Sequence, residues 1–114
     1  MKWYRTHLGI DSGDWGGFAF QWIEQGRPSE IGYTIWTPFP DTTNYFSRGE
    51  QSFMVNFRVA DLAGLVAGLR QDGVEIVGEI EQHPNGSFAW ILDLEGRKVE
   101  LWEPVDSRQD PYLN

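Results

Sequence analysis

The chain has 114 residues, enough for one domain or for two half-domains sharing a core, because two separate cores would each be marginal. Hydrophobic residues make up 40% of it and six residues are Trp, which excludes a chain disordered by composition. Nine Lys and Arg against 17 Asp and Glu give a formal net charge of -8, a field that repels phosphate backbones and anionic lipid, so neither nucleic acid nor membrane is expected as a partner.

At the N-terminus, Met1-Lys2-Trp3-Tyr4-Arg5-Thr6-His7-Leu8 lacks the long apolar core of a signal peptide, and no segment has the apolar length that spans a bilayer. With no Cys there are no disulfides, thiolate metal sites or cysteine nucleophile, and a cytoplasmic location is expected. Gly13, Gly16 and Gly17 surround Asp14 and Trp15 without the basic residue or helix start of a phosphate cradle, so they read as a turn. Gly17 to Glu24 and Ile31 to Phe39 read as strands joined by Gln25-Gly26-Arg27-Pro28-Ser29, and Asp41 to Ser47 reads as a short third strand.

From Phe53 to Val59 the residues alternate, with Phe53, Val55, Phe57 and Val59 on one face and Met54, Asn56 and Arg58 on the other. Asp61 stands at an N-cap position, Leu62, Leu65, Val66 and Leu69 follow at helical spacing, and Gly73 supplies the stop. Val74 to Val77 reads as an extended return. Glu79 to His83, Ser87 to Asp93 and Lys98 to Glu103 then read as an antiparallel meander turning at Pro84-Asn85-Gly86 and Leu94-Glu95-Gly96-Arg97. In the last strand Val99 and Leu101 share one face, and Glu100 and Trp102 the other. The apolar faces of the first and last strands are expected to meet the helix, leaving Met54, Asn56 and Arg58 on one surface with Glu100 and Trp102.

Phe53 to Val59, Asp61-Leu62, Gly73-Val74, Ala89 to Asp93, Glu95-Gly96 and Val99 to Pro104 together resemble the second module of the vicinal oxygen chelate superfamily, which includes glyoxalases, bleomycin resistance proteins and extradiol dioxygenases. The resemblance implies an α+β fold in which paired βαβββ modules form a curved mixed sheet around a small-molecule cavity, usually in a homodimer. It makes residues 1–114 a single glyoxalase-like domain: an incomplete first module over 1–50, a complete second module over 51–104 and a tail over 105–114. Trp3 to Ile10 resembles the end of the family's first helix, with Gly9 as its C-cap, and the module then lacks its opening strand, leaving an unpaired sheet edge.

In metal-dependent relatives the first and last strands of each module supply ligands. Glu100 matches such a position and is the metal candidate, whereas Met54 stands where His is usual, and a thioether is a poor ligand for hard or borderline ions. One carboxylate is too few for a site that keeps three protein ligands, so no cofactor is expected, with a divalent metal as the alternative. An ion pair between Glu100 and Arg58 is the plainer expectation for that carboxylate. Trp22, Trp36, Trp90 and Trp102 lie on strands and can line a cavity or fill a core; cavity aromatics in an acidic chain could also take a cationic aromatic ligand. His7, near a helix end, and His83, exposed just before the turn at Pro84, have no catalytic spacing, and no Ser lies in a nucleophile elbow.

The expected role is binding of a small organic molecule, with Met54, Asn56, Arg58, Glu100, Trp102, Trp36 and Trp90 as ligand-binding candidates; catalytic residues, and whether a reaction is catalysed at all, stay open. A metal-dependent glyoxalase-like lyase or dioxygenase, and a protein-interaction module using the unpaired sheet edge, stand as alternatives.

Overall fold

A computed structural model describes the chain apart from Met1, Ser12, Asp14, Trp15, Gln25, Gly26, residues 47–50, Ser107 and residues 112–114, and gives backbone alone for the rest of 23–31. The residues fall into two compact units, Met1–Thr42 and Thr43–Tyr112. Their strands form one sheet of two strands and one of four, with no closed barrel among the described residues. No helix there is long and apolar enough to cross a membrane.

The first unit holds α1 (Lys2–Leu8), β1 (Phe18–Glu24) and β2 (Arg27–Trp36). Gly9 ends α1 at φ 67°, where its N–H bonds to the Arg5 carbonyl, as the C-cap expectation requires. β1 and β2 pair antiparallel from Phe18↔Trp36 down to Glu24↔Arg27. β2 therefore starts earlier than Ile31, because pairing continues close to the hairpin. The Trp22 ring covers its register partner Gly32, where an added Cβ would collide with the indole. Asp41 to Phe46 forms turns instead of the expected short strand, and Ser47 lies outside the described residues. Pro38 and Pro40 just upstream cannot donate to a ladder, which disfavours pairing there.

The second unit runs β3 (Asn56–Arg58), α2 (Leu62–Gln71), β4 (Glu81–His83), β5 (Gly86–Leu92) and β6 (Lys98–Pro104), the βαβββ order expected from the sequence. The sheet order is β3-β6-β5-β4, with β3 parallel to β6 and the last three strands antiparallel. Asp61 caps α2 by accepting from the Gly64 N–H at 3.1 Å, and Gly73, at φ 85°, closes it with bonds from Gly73 N and Val74 N back to Arg70 and Leu69. Leu62 and Val66 on α2 pack with Ala89 of β5 and Leu101 of β6 in the core. Glu103, also on the helix side of β6, accepts from the Leu62 N–H at 2.8 Å, so a carboxylate meets the positive start of α2.

The apolar face of β3 does not go to the helix as expected. Phe53 is 68% exposed and Phe57 56%, with Val55 exposed beside them, and only Val59 reaches the core. α2 lies over β5 and β6, and β3 is the outer strand beyond its reach. Gln51 extends this edge: its side-chain amide accepts from Lys98 N and donates to Lys98 O, both at 2.8 Å, in place of a backbone neighbour.

Candidate functional site

Strand parity decides which residues face away from α2. On β6 these are Lys98, Glu100 and Trp102, and on β5 Phe88 and Trp90, since Ala89 and Leu101 are in the core. The antiparallel register sets Trp90 against Glu100 and Phe88 against Trp102, and on the other side Glu81 against Phe88. Parallel pairing brings Asn56 beside Glu100 and Arg58 beside Trp102.

Glu100 is the centre of this face. Its Oε1 accepts from the Tyr45 hydroxyl at 2.6 Å and the Trp90 indole N–H at 3.1 Å, and its Oε2 accepts from the Asn56 amide at 2.9 Å. The expected partner, Arg58, is not among them, because the register sets it two residue pairs further along, against Trp102. Burial, and then the Glu100 hydrogen bond and charge, push the Tyr45 phenol well above its ordinary range, so it stays a neutral donor. Lys98 Nζ donates to the Tyr45 carbonyl at 2.7 Å and lies 4.9 Å from the Tyr45 ring centroid and 5.6 Å from that of Trp90. The cation over these rings is thus one of the chain's own side chains.

Beyond Glu100 the face opens into a cleft of about 310 Å³ bounded by Tyr45, Glu81, His83, Asn85, Phe88, Trp90 and Glu100. Phe88 lies nearly parallel to Trp90 and to Trp102, at 17° and 15°, with centroids 6.4 and 6.1 Å away. His83 meets Phe88 edge-on at 5.4 Å, and its Nε2 lies 3.1 Å from Glu81 Oε1. At the β4–β5 turn the buried Trp102 indole donates to the Asn85 carbonyl at 3.0 Å. Gly86 fits there because any Cβ would meet the Glu103 carbonyl and stand 2.7 Å from Trp102 Nε1.

Of the sequence candidates, Glu100, Trp90, Asn56 and Trp102 come together on this face. Trp90 and Glu100 line the cleft, Asn56 secures Glu100, and Trp102 secures the Asn85 turn. Met54 is half-buried just before β3, and Arg58 is exposed. Trp36 belongs to the first unit, where its ring contacts Tyr4 at 4.4 Å. Tyr45, Glu81, Asn85 and Phe88 were not among the candidates. His83 ends β4 and is exposed, in keeping with the strand read from Glu79 to His83, and it lines the cleft.

The divalent ion implied by the resemblance does not fit these residues. Both Glu100 oxygens accept hydrogen bonds, Met54 offers a thioether, and no group of three His, Asp or Glu able to hold a metal gathers among the described residues.

No family model and no curated protein sequence matches the chain. Among solved structures, methylmalonyl-CoA epimerase from Mycobacterium tuberculosis aligns at 24% identity and a TM-score of 0.51, over 94% of this chain and 79% of its own. A glyoxalase family protein from Bacillus cereus aligns at 26% identity and a TM-score of 0.46 over 66% of this chain and 52% of its own, so the chain spans about half the length of that protein. One from Enterococcus faecalis aligns at 15% and 0.40, over 90% and 88%. The chain shares the fold of methylmalonyl-CoA epimerase, a vicinal oxygen chelate protein, which is the fold that the residues from Phe53 to Pro104 imply. Fold likeness at this level carries no activity with it.

Proposed function

We propose that the chain binds a small organic molecule in the cleft beside Glu100 and does so without a metal ion. The hydrogen-bonded carboxylate carries this reading: three donors hold Glu100 as a fixed polar wall, next to the aromatic wall of Phe88 and Trp90. A cleft with an apolar wall and a few convergent polar groups is the usual form of a small-molecule site. Titration with neutral, cationic and anionic aromatic compounds, followed by Trp fluorescence, tests it. At least one class should give a saturable response that Trp90→Phe weakens; no response from any class overturns the proposal. A divalent ion that raises the melting temperature of the wild type but not of Glu100→Ala overturns its metal-free part.

A homodimer is part of the same proposal, supported by the outer strand β3 with exposed Phe53, Val55 and Phe57. Sedimentation equilibrium should show a dimer at micromolar concentration, and a monomer there refutes it. The cytoplasmic location proposed with it is supported by a chain free of Cys, and recovery in the soluble cytoplasmic fraction is its test.

A further inference from the structure

We infer that the cleft selects a neutral, flat ligand with a hydrogen-bond donor and acceptor side by side, of the carboxamide or lactam class, and that Asn85 is the residue that reads this edge. The inference rests on the reading of the cleft as a small-molecule site. Asn85 lines the cleft and is only 9% exposed. Its backbone carbonyl accepts from the Trp102 indole at 3.0 Å and from Val105 N at 3.2 Å, so the turn is pinned from behind. Its side-chain amide, in contrast, makes no hydrogen bond to another described residue. Buried amides are nearly always paired, because an unpaired one forfeits its hydration. An Asn edge presents one acceptor and one donor, and another amide edge is its complement.

The surrounding groups define the rest of the ligand. A bound anion would meet the carboxylates of Glu81 and Glu100. A bound cation would find the ring faces of Tyr45 and Trp90 already held by Lys98, and Glu100 already engaged by three donors. The near-parallel Phe88 and Trp90 rings form a flat apolar wall that suits a planar body.

The test uses the full chain and four probes that share one ring: 4-fluorobenzamide, 4-fluoroacetophenone, 4-fluorobenzoate and 4-fluorobenzylamine. Fluorine NMR titration gives each affinity, and proton–nitrogen spectra follow the Asn85 side-chain amide and the Trp90 indole. The benzamide should bind about ten-fold more tightly than each of the others, the discrimination expected when a buried polar group is left unpaired. It should also shift the Asn85 amide signal, and Asn85→Ala should abolish the preference. If Asn85→Ala does not fold, the isosteric Asn85→Asp and the wild-type amide shift decide, and Asn85→Asp should lose most of the preference. An Asn85 amide unmoved at saturation, or a preference intact in a folded variant, overturns the inference. If all four probes shift the Trp90 indole with equal affinity, the inference fails and the cleft remains a binding site. If none of them shifts it, both fail.

Discussion

Replacing Glu100 by Ala removes the acceptor shared by Tyr45, Trp90 and Asn56, and each donor then meets a different fate. The Trp90 side chain, in a residue only 7% exposed, would leave its indole N–H without water, at about 2 kcal/mol. Tyr45 is half-buried and recovers part of its hydration, so it loses about 1 kcal/mol, whereas exposed Asn56 rehydrates at almost no cost. Loss of a methylene adds about 0.8 kcal/mol, and release of a half-buried carboxylate returns about 1 kcal/mol. The net is about 3 kcal/mol, or roughly 15 °C in melting temperature for a chain of this size. Urea unfolding followed by Trp fluorescence should show this loss with an unchanged slope. Glu100→Gln keeps an acceptor for Tyr45 and Trp90, and Asn56 can turn its amide, so its loss should stay within about 1 kcal/mol. An Ala variant within about 0.5 kcal/mol of wild type refutes the network's structural role. A chelator that lowers the wild-type melting temperature, with a divalent ion restoring it, refutes the metal-free reading.

Tyr45→Phe probes the same network through pH. Because the folded state raises the phenol pKa, the Tyr45 contribution is complete below about pH 10, the unfolded value, and is lost as pH rises past it. The stability gap between wild type and Tyr45→Phe should therefore narrow from pH 9 to pH 11, and a constant or widening gap contradicts this. Gly86→Ala should cost more than about 3 kcal/mol in urea unfolding, since φ is 140° and the new Cβ would press on the Glu103 carbonyl; a loss under about 1 kcal/mol would show that the turn adapts. Leu62→Ala should cost about 3 kcal/mol by the same assay, because Leu62 is 1% exposed at the centre of the α2–sheet core. A loss below about 1 kcal/mol would mean that another side chain fills the space.

The second unit was legible because each element carried its own period: alternation over β5 and β6, helical spacing from Leu62 to Leu69, and caps at Asp61 and Gly73. Periodicity shows which residues share a face, but not whether anything covers it. The stripe of Phe53, Val55 and Phe57 is apolar like a core strand, yet it lies on the outer strand and is exposed. Partners of Glu100 required the register as well: Asn56 and Arg58 share a face, and only the pairing Asn56↔Glu100 shows which one reaches the carboxylate. Glu81 and His83 become visible once the turn at Pro84-Asn85 is counted as two residues, which sets His83 against Gly86 and Glu81 against Phe88. Tyr45 had no local signal at all, since it sits in an irregular segment and is joined to Glu100 across 55 positions.

β6 works on both faces of its sheet. Leu101 and Glu103 serve α2, through the core and through the Leu62 N–H, while Glu100 and Trp102 serve the cleft. Because strand parity is two, a slip of one residue would send Glu100 to the helix side and Leu101 into the cleft, so helix docking itself enforces the cleft register. The cleft residues on β6 are consequently also folding residues. Changes at Glu100 or Trp102 remove hydrogen bonds that hold Tyr45, Trp90 or the Asn85 turn, and a loss of binding in such variants mixes two causes. The Asn85 side chain is different in kind. The backbone carbonyl of Asn85 anchors the turn, whereas its amide contributes no hydrogen bond to another described residue. Binding can therefore be separated from folding at this position, and a burial cost that folding alone does not recover is what a recognition group in a preformed site carries.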